Sequence, residues 1–205
     1  MRLLVIGAGG HAKVLVDTAL AAGHEIAGVV GTAEGSETLL GFPVSRTAEG
    51  IDADGFIVGV GRNDLRALHF DEYRSRGFIP ASVVHPSAVV GSGVRIGGGT
   101  LVVGGVVINV DADVGENVIL NTGCTVDHDV IVGNHALIGP QTALCGGVVI
   151  GTGVLLGAGV TAAPLVCVGE WTTVGAGAAV VDDLPAYTVC VGVPARPVRT
   201  VEAPA

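Results

Sequence analysis

A six-residue repeat runs through the second half of the sequence and restricts the folds open to it. Counted in sixes from Val90 to Ala179, the first residue of each six is aliphatic fifteen times in succession. The fifth residue is small or β-branched, and glycine often follows the first. A period of six fits neither the 3.6-residue turn of an α-helix nor the two-residue alternation of a flat sheet. It predicts a solenoid of very short strands, in which first-position side chains point inward and stack from coil to coil.

The repeat also predicts which residues lie above one another. If each coil has three sides, the fifteen sixes make five coils. Residues eighteen positions apart then occupy the same place in successive coils. This spacing relates any polar side chain of the repeat to its neighbours in space.

The residues ahead of the repeat predict a separate domain. Residues 3–30 form a pattern of buried strand, glycine-rich turn, helix ending near Gly23 and second strand. This order is typical of a small, open parallel sheet of Rossmann type. Farther along, Asn63 is expected to cap a helix that runs to about Arg76. We therefore divide the chain into an α/β domain, residues 1–84, and a solenoid domain with a short tail, residues 85–205.

The first turn matches a loose dinucleotide-binding pattern, G-x-G-x-x-A, through Gly7, Gly9 and Ala12. That pattern normally comes with an acidic residue after the second strand, which binds a ribose hydroxyl, but Gly31 and Thr32 occupy those positions. The turn therefore favours contact with a phosphate or nucleotide over NAD binding. A tight strand-to-helix turn without a ligand is the alternative.

The acidic composition argues against two classes of partner. The net charge is -9, which does not suit a general nucleic-acid or anionic-membrane binder. No apolar run reaches the roughly 20 residues that span a bilayer, and no secretory signal is recognised.

The cysteines lack metal-type spacing, so we expect reduced packing thiols in a cytoplasmic protein: Cys124, Cys145, Cys167 and Cys190.

One short segment of the repeat carries reactive side chains. His128, between Asp127 and Asp129, occupies the third place of its six, outside the inward-packing places. A neutral imidazole there can take a proton from an attacking amine or hydroxyl, while a carboxylate holds its tautomer. One coil on is Gly146, whose backbone N–H could act as an oxyanion donor. A solvated polar turn is the alternative interpretation.

Six segments together carry a resemblance to a known family: Gly7 to Ala12, Gly59 to Gly61, His85-Pro86, Asn121-Thr122, Val126 to Asp129 and Val191 to Arg196. In this order they resemble the sialic acid O-acetyltransferase and UDP-4-amino-sugar N-acetyltransferase family of hexapeptide-repeat acyltransferases. The similarity covers nearly the whole chain. It implies a Rossmann-like N-terminal domain that binds the sugar substrate, followed by a left-handed parallel β-helix that forms a homotrimer.

The resemblance also implies roles for individual residues. Acetyl-CoA is expected between adjacent subunits, without a metal. By position, His128 is the general base and Asp129 its carboxylate partner. The remaining expected ligand contacts are Gly146 at the acetyl carbonyl, Ala158 and Ala176 along CoA, and Gly9, Gly10, His11 and Gly61 at the nucleotide-sugar.

The sequence departs from the family at two places. The second histidine that helps to hold acetyl-CoA, nine residues after the base, is Leu137 here. His135 lies two residues earlier, where we expect a solvated turn. The paired acids that touch the substrate after the second strand are replaced by Gly31 and Thr32.

We expect an acetyl-CoA-dependent acetyltransferase in which a sugar amine or hydroxyl attacks the thioester directly. One alternative is an O-acetyltransferase of a free sugar acid such as sialic acid. Another is a non-catalytic trimer that binds a sugar nucleotide. A zinc hydrolase of hexapeptide type needs three converging histidines, and His128 and His135 supply only two.

Overall fold

The N-terminal domain is a sheet with a helix on each face. The computed structural model describes residues 1–31 and 37–203. Alternate residues of the first strand enter two clusters, because side chains alternate across a strand: Leu3 and Val5 pack with the first helix, Leu4 and Ile6 with the second. The elements are β1 (Arg2–Ile6), α1 (Gly10–Ala21), β2 (Glu25–Val30), β3 (Thr38–Leu39), β4 (Phe42–Ser45), β5 (Gly55–Val58) and α2 (Asn63–Ser75).

A cleft lies beyond the carboxyl ends of β1, β2 and β5 in this sheet, whose strand order is β3-β4-β2-β1-β5. Neighbouring strands are parallel except β3 and β4. The chain passes from β1 to β2 on one side, and β5 joins β1 on the other. Open α/β sheets bind ligands beyond the carboxyl ends of the strands at such a reversal. The expected α/β domain is therefore confirmed.

The repeat folds into a parallel β-helix with three faces. The eight-stranded face contains β6 (Val83–Val84), β9 (Leu101–Val102), β12 (Ile119–Leu120), β15 (Leu137–Ile138), β18 (Leu155–Leu156), β21 (Thr173–Val174), β23 (Thr188–Val191) and the antiparallel β24 (Arg196–Thr200). The six-stranded face contains β7 (Val89–Val90), β10 (Val107–Ile108), β13 (Thr125–Val126), β16 (Ala143–Leu144), β19 (Thr161–Ala162) and β22 (Ala179–Val180). The five-stranded face contains β8 (Arg95–Ile96), β11 (Asp113–Val114), β14 (Ile131–Val132), β17 (Val149–Ile150) and β20 (Cys167–Val168).

Residues eighteen positions apart pair in successive coils, as the repeat predicts. Ile119 pairs with Leu137, and Leu137 pairs with Leu155. The first-position side chains stack inward to form the core, where Leu120 and Ile138 are fully buried. The expected β-helix of hexapeptide repeats is confirmed.

The ends of the β-helix differ from the simplest prediction. Coil strands begin before Val90, at β6, and continue after Ala179, at β23. The repeat predicts an inward Val90, but this residue is 43% exposed, because β7 is the last strand at its end of the six-stranded face. At the opposite end, Leu184 and Ala195 of the tail are buried in the core, so the tail covers the last coils.

The four cysteines are free thiols. Cys124 and Cys190 are buried, and burial raises the pKa of the Cys124 thiol to about 12. Cys167 is exposed in β20. The expectation that all four serve as packing thiols is therefore wrong for Cys167, which occupies an outward position of its strand.

Asn63 connects the two domains and does not cap α2. The residue before α2 is Arg62, and no side chain makes a capping hydrogen bond there. The Asn63 amide donates to the carbonyls of Gly153 and Val154, each 3.0 Å away, in a turn of the β-helix. The predicted cap is wrong because this side chain is buried against the neighbouring domain.

Two isoleucines of the β-helix provide a matched test of its core. Ile138→Ala should lower the free energy of unfolding by about 2–5 kcal/mol, because it opens a cavity at a fully buried site. Ile131 is 50% exposed, so Ile131→Ala should cost less than about 1 kcal/mol. Chemical denaturation followed by circular dichroism measures both. Equal losses in the two variants would contradict the inward stacking of the first-position residues.

Candidate active site

His128 lies in the turn between β13 and β14, at the junction of the six-stranded and five-stranded faces. We call the turns at this junction, residues 127–129 and 145–147, the His128 corner. The Asp127 carboxylate accepts hydrogen bonds from the His128 backbone N–H and the Asn109 amide, both at 2.8 Å. Asp127 is therefore used to hold the turn and is not the partner of the imidazole ring.

Asp129 is the partner of the imidazole ring. Its carboxylate lies 2.7 Å from Nδ1 of His128 and accepts that N–H, so Nε2 retains its lone pair. Asp129 adopts a left-handed backbone with φ of 60°, a conformation that Asp tolerates better than most residues. The hydrogen bond to Asp129 and the charge of Asp127 raise the pKa of His128 above its ordinary value. The imidazole is 57% exposed, so a substrate can reach it.

The His128 ring lies directly over Gly146 of the next coil. A Cβ at Gly146 would stand 2.6 Å from both Cε1 and Nε2 of His128, so only glycine leaves space for the ring. The Gly146 carbonyl accepts from the Leu165 N–H. Within residues 1–31 and 37–203 the Gly146 N–H donates to no acceptor. A base and an unpaired backbone donor thus share one corner, as acyl transfer requires.

Ala158 and Ala176 occupy a different corner of the β-helix. They lie eighteen positions apart, in turns between the eight-stranded and six-stranded faces, and both are exposed. We call these turns, residues 157–159 and 175–177, the alanine corner. The Ala158 carbonyl accepts from the Gly177 N–H of the next coil at 2.8 Å. Within one chain, the six-stranded face separates the alanine corner from the His128 corner.

The N-terminal cleft collects the other expected ligand residues. It has a volume of about 460 Å³ and is lined by Gly9, Gly10, His11 and Gly61 among others. Gly9 and Gly10 begin α1 without a side-chain cap, which leaves the first N–H groups of the helix available to an anion. Burial, with the charge of Arg66, lowers the pKa of His11 to about 4. His11 is therefore neutral at pH 7.

Gly31 lines the same cleft, and close packing against the first turn favours a residue without a side chain at this position. A Cβ at Gly31 would stand 3.1 Å from the backbone nitrogen of Ala8 and 3.2 Å from its Cβ. The acid that the family places at this position would crowd the first turn. Thr32, the second departure, lies outside the described residues.

His135 does not lie in a solvated turn, contrary to expectation. It sits between the five-stranded and eight-stranded faces, where its Nδ1 is 2.8 Å from the amide nitrogen of Asn117. The edge of Phe70, from α2, packs on the ring with centroids 5.7 Å apart. Burial lowers the pKa of His135. Leu137 lies outward in β15, away from the His128 corner of the same chain.

Neither a metal-type cluster nor a membrane-spanning helix occurs in the described ranges. Residues 1–31 and 37–203 contain no group of three His, Cys, Asp or Glu side chains placed to hold a metal ion. The same ranges contain no helix with the length and apolar character of a bilayer span.

Two family models match parts of the sequence. The PglD N-terminal domain matches residues 2–73. The model for bacterial transferase hexapeptide, six repeats, matches residues 129–164. No curated protein sequence matches the chain at a significant level.

Solved structures match nearly the entire chain. A histidine-to-asparagine variant of perosamine N-acetyltransferase from Caulobacter crescentus, with CoA and GDP-perosamine, is 38% identical, with a TM-score of 0.91 and 96% of each chain covered. The acetyltransferase domain of PglB from Neisseria gonorrhoeae FA1090 is 33% identical, with a TM-score of 0.89, covering 96% of this chain and 99% of that one. WeeI from Acinetobacter baumannii AYE is 21% identical and shares the fold, with a TM-score of 0.85 over 97% of this chain and all of that one.

The Asp129 carboxylate should control the titration of His128. Asp129→Asn tolerates the left-handed backbone but removes the negative charge, so the pKa of His128 should fall toward its ordinary value. The measurement is an NMR pH titration of the His128 ring. Asp111→Asn is the control, since Asp111 occupies the same left-handed place one coil earlier. An unchanged pKa in Asp129→Asn, or an equal fall in Asp111→Asn, would contradict this pairing.

Proposed function

The chain belongs to the hexapeptide-repeat acyltransferases that carry a PglD-type N-terminal domain, and we propose that it transfers the acetyl group of acetyl-CoA to the amine of a nucleotide-linked amino sugar. The observation that carries this proposal is the His128–Asp129 pair over the unpaired N–H of Gly146. Relatives described as N-acetyltransferases favour an amine acceptor over the hydroxyl of a free sugar acid. The His128–Asp129 pair supports a catalytic protein over the non-catalytic alternative.

In the proposed reaction, Nε2 of His128 accepts a proton from the sugar amine while the amine nitrogen attacks the thioester carbonyl of acetyl-CoA. Asp129 stabilises the imidazolium that forms. The Gly146 N–H donates to the carbonyl oxygen as negative charge develops on it. A C–N bond forms and the C–S bond breaks. The proton held by His128 then passes to the departing CoA sulfur, which returns the base to its neutral form.

The N-terminal cleft is proposed to hold the nucleotide. Gly9, Gly10 and the start of α1 offer backbone N–H groups to the diphosphate, and Gly61 lines the same cleft. His11, which is neutral at pH 7, has a buried Nε2 with no partner among the described residues. We propose that His11 contacts the ligand through the part of its side chain that lines the cleft. Contacts of this kind depend on shape and backbone and do not need the acids that Gly31 and Thr32 replace.

We propose a three-fold assembly because the His128 corner and the alanine corner of one chain lie apart. Acetyl-CoA at the alanine corner would have to cross the six-stranded face to reach His128 of the same chain. A neighbouring copy can place its own alanine corner beside this His128. We therefore propose that the complete site forms in a homotrimer, with acetyl-CoA between adjacent subunits.

Removal of His128 should abolish transfer without removing substrate binding. His128→Ala should lower kcat by about 10²–10⁴-fold, the usual contribution of a general base. Acetylation of GDP- and UDP-linked 4-amino sugars is followed by mass spectrometry, and acetyl-CoA binding by calorimetry. His85→Ala is the control, because His85 hydrogen-bonds Ser87 in the exposed first coil. A His128→Ala enzyme with unimpaired turnover would contradict the proposal.

Gly146 provides a second test of the same site. Gly146→Ala should displace the His128 ring and reduce kcat by at least about tenfold while the fold is retained. Gly104→Ala is the matched control, because Gly104 holds the same place in its six and its added Cβ would meet no atom closer than 3.4 Å. Steady-state kinetics on both variants measure the effect. Equal kcat values in the two variants would show that the contact with the His128 ring is not used in catalysis.

A further inference from the structure

Arg66 of α2 is a buried cation that is held by carbonyl groups. The residue is 1% exposed, and burial lowers the pKa of its guanidinium to about 9, so it is charged at pH 7. None of the carboxylates within the described ranges forms an ion pair with it. The guanidinium donates to the carbonyls of Asn117 (3.1 Å), Val60 (3.2 Å), Gly61 (3.3 Å), His135 (2.6 Å) and Ala136 (3.2 Å).

These acceptors belong to both domains. Val60 and Gly61 form the loop between β5 and α2, whereas Asn117 and His135 belong to β-helix turns one coil apart. A hydrogen bond also runs from the β-helix to the helix: the fully buried Asn117 amide donates to the Arg66 carbonyl at 3.2 Å. One guanidinium therefore fixes the position of the loop relative to two coils.

The peptide geometry of the loop connects this contact to the cleft. In a trans peptide the C=O and N–H groups point in opposite directions. Because the carbonyls of Val60 and Gly61 point to Arg66, the N–H groups of Gly61 and Arg62 point away from it. Gly61 lines the cleft, and neither N–H donates to an acceptor in the part of the chain that the structure describes. The Gly61 N–H is therefore available to a ligand in the cleft, whereas Arg62 does not line the cleft.

We infer that Arg66 is a positioning residue for the nucleotide: it orients the Gly61 N–H group for the diphosphate and fixes the cleft against the acyl-transfer domain. This inference rests on the proposed function of the cleft. It predicts that loss of the planar guanidinium weakens nucleotide binding specifically. Acetyl-CoA binding, at the alanine corner, should not change.

The test compares Arg66→Lys with Arg74→Met in calorimetric titrations of GDP, UDP and acetyl-CoA. Lysine keeps the charge but cannot span five carbonyls with one ammonium group. Arg66→Lys should weaken binding of the nucleoside diphosphate by about tenfold and leave acetyl-CoA affinity within about twofold. Arg74 is the control: its ion pair with Glu116 at 2.6 Å also joins the domains but lies at the surface. Arg74→Met should change neither affinity.

Hydrogen exchange on the unaltered protein gives a second measurement, which does not depend on whether a variant folds. Addition of GDP or UDP should slow exchange of the Gly61 N–H group. Unaltered nucleotide affinity in folded Arg66→Lys, equal weakening of both ligand classes, or absence of protection at Gly61 would each overturn the role of Arg66 while leaving the cleft assignment intact. If the unaltered protein binds neither GDP nor UDP, the proposed function of the cleft fails, and the inference fails with it.

Discussion

The parallel hydrogen bonding of one coil onto the next is the interaction on which the rest of the structure depends. It sets a strict spacing of eighteen residues, because each short strand pairs with the strand one coil away and the inward aliphatic side chains stack. An insertion of one residue would turn the inward side chains of the following strands outward. The same register places the His128 ring over Gly146 and Ala158 in line with Ala176. The site is thus a direct product of the core packing.

Three histidines show how this scaffold assigns different roles to one residue type. His128, exposed beside a carboxylate, has a raised pKa and an accessible Nε2. His11, buried at the cleft, has a pKa lowered to about 4 and remains neutral. His135 is packed between Asn117 and Phe70, where burial lowers its pKa. Desolvation and a charged partner shift the pKa of a histidine in opposite directions, which separates a candidate base from a ligand contact and a structural residue.

Much of the fold is predictable from the sequence because the six-residue period is a local consequence of packing. The eighteen-residue spacing alone is enough to bring His128 and Gly146 to one corner. The exposure of Val90 is not predictable in this way, since a period does not show which coil lies at the end of a face. The eighteen-residue spacing also predicts that Ala158 and Ala176 share one corner. It does not predict that this corner is separate from the His128 corner, because that separation follows from the order of the three faces.

The docking of α2 is the part of the site that the sequence does not predict. Asn117, His135 and Gly153 are eighteen residues apart, so their common corner follows from the spacing. The residues that meet them, Asn63 and Arg66, belong to a helix whose pattern indicates only a cap and an amphipathic surface. Contact between distant domains depends on tertiary packing, which overrides the local preference of Asn for a helix start.

The packing of this interface explains how two separately recognisable domains are held together. A buried cation and two buried amides are costly unless each donor has an acceptor. Carbonyls of the β-helix turns accept from Arg66 and Asn63, and the Arg66 carbonyl of α2 accepts from the Asn117 amide. The most direct test of the central claim is a crystal structure with CoA and a nucleotide-linked 4-amino sugar bound. The account predicts the sugar amine within hydrogen-bonding distance of Nε2 of His128, with CoA along the alanine corner of a neighbouring copy. A sugar amine bound away from His128 would contradict it.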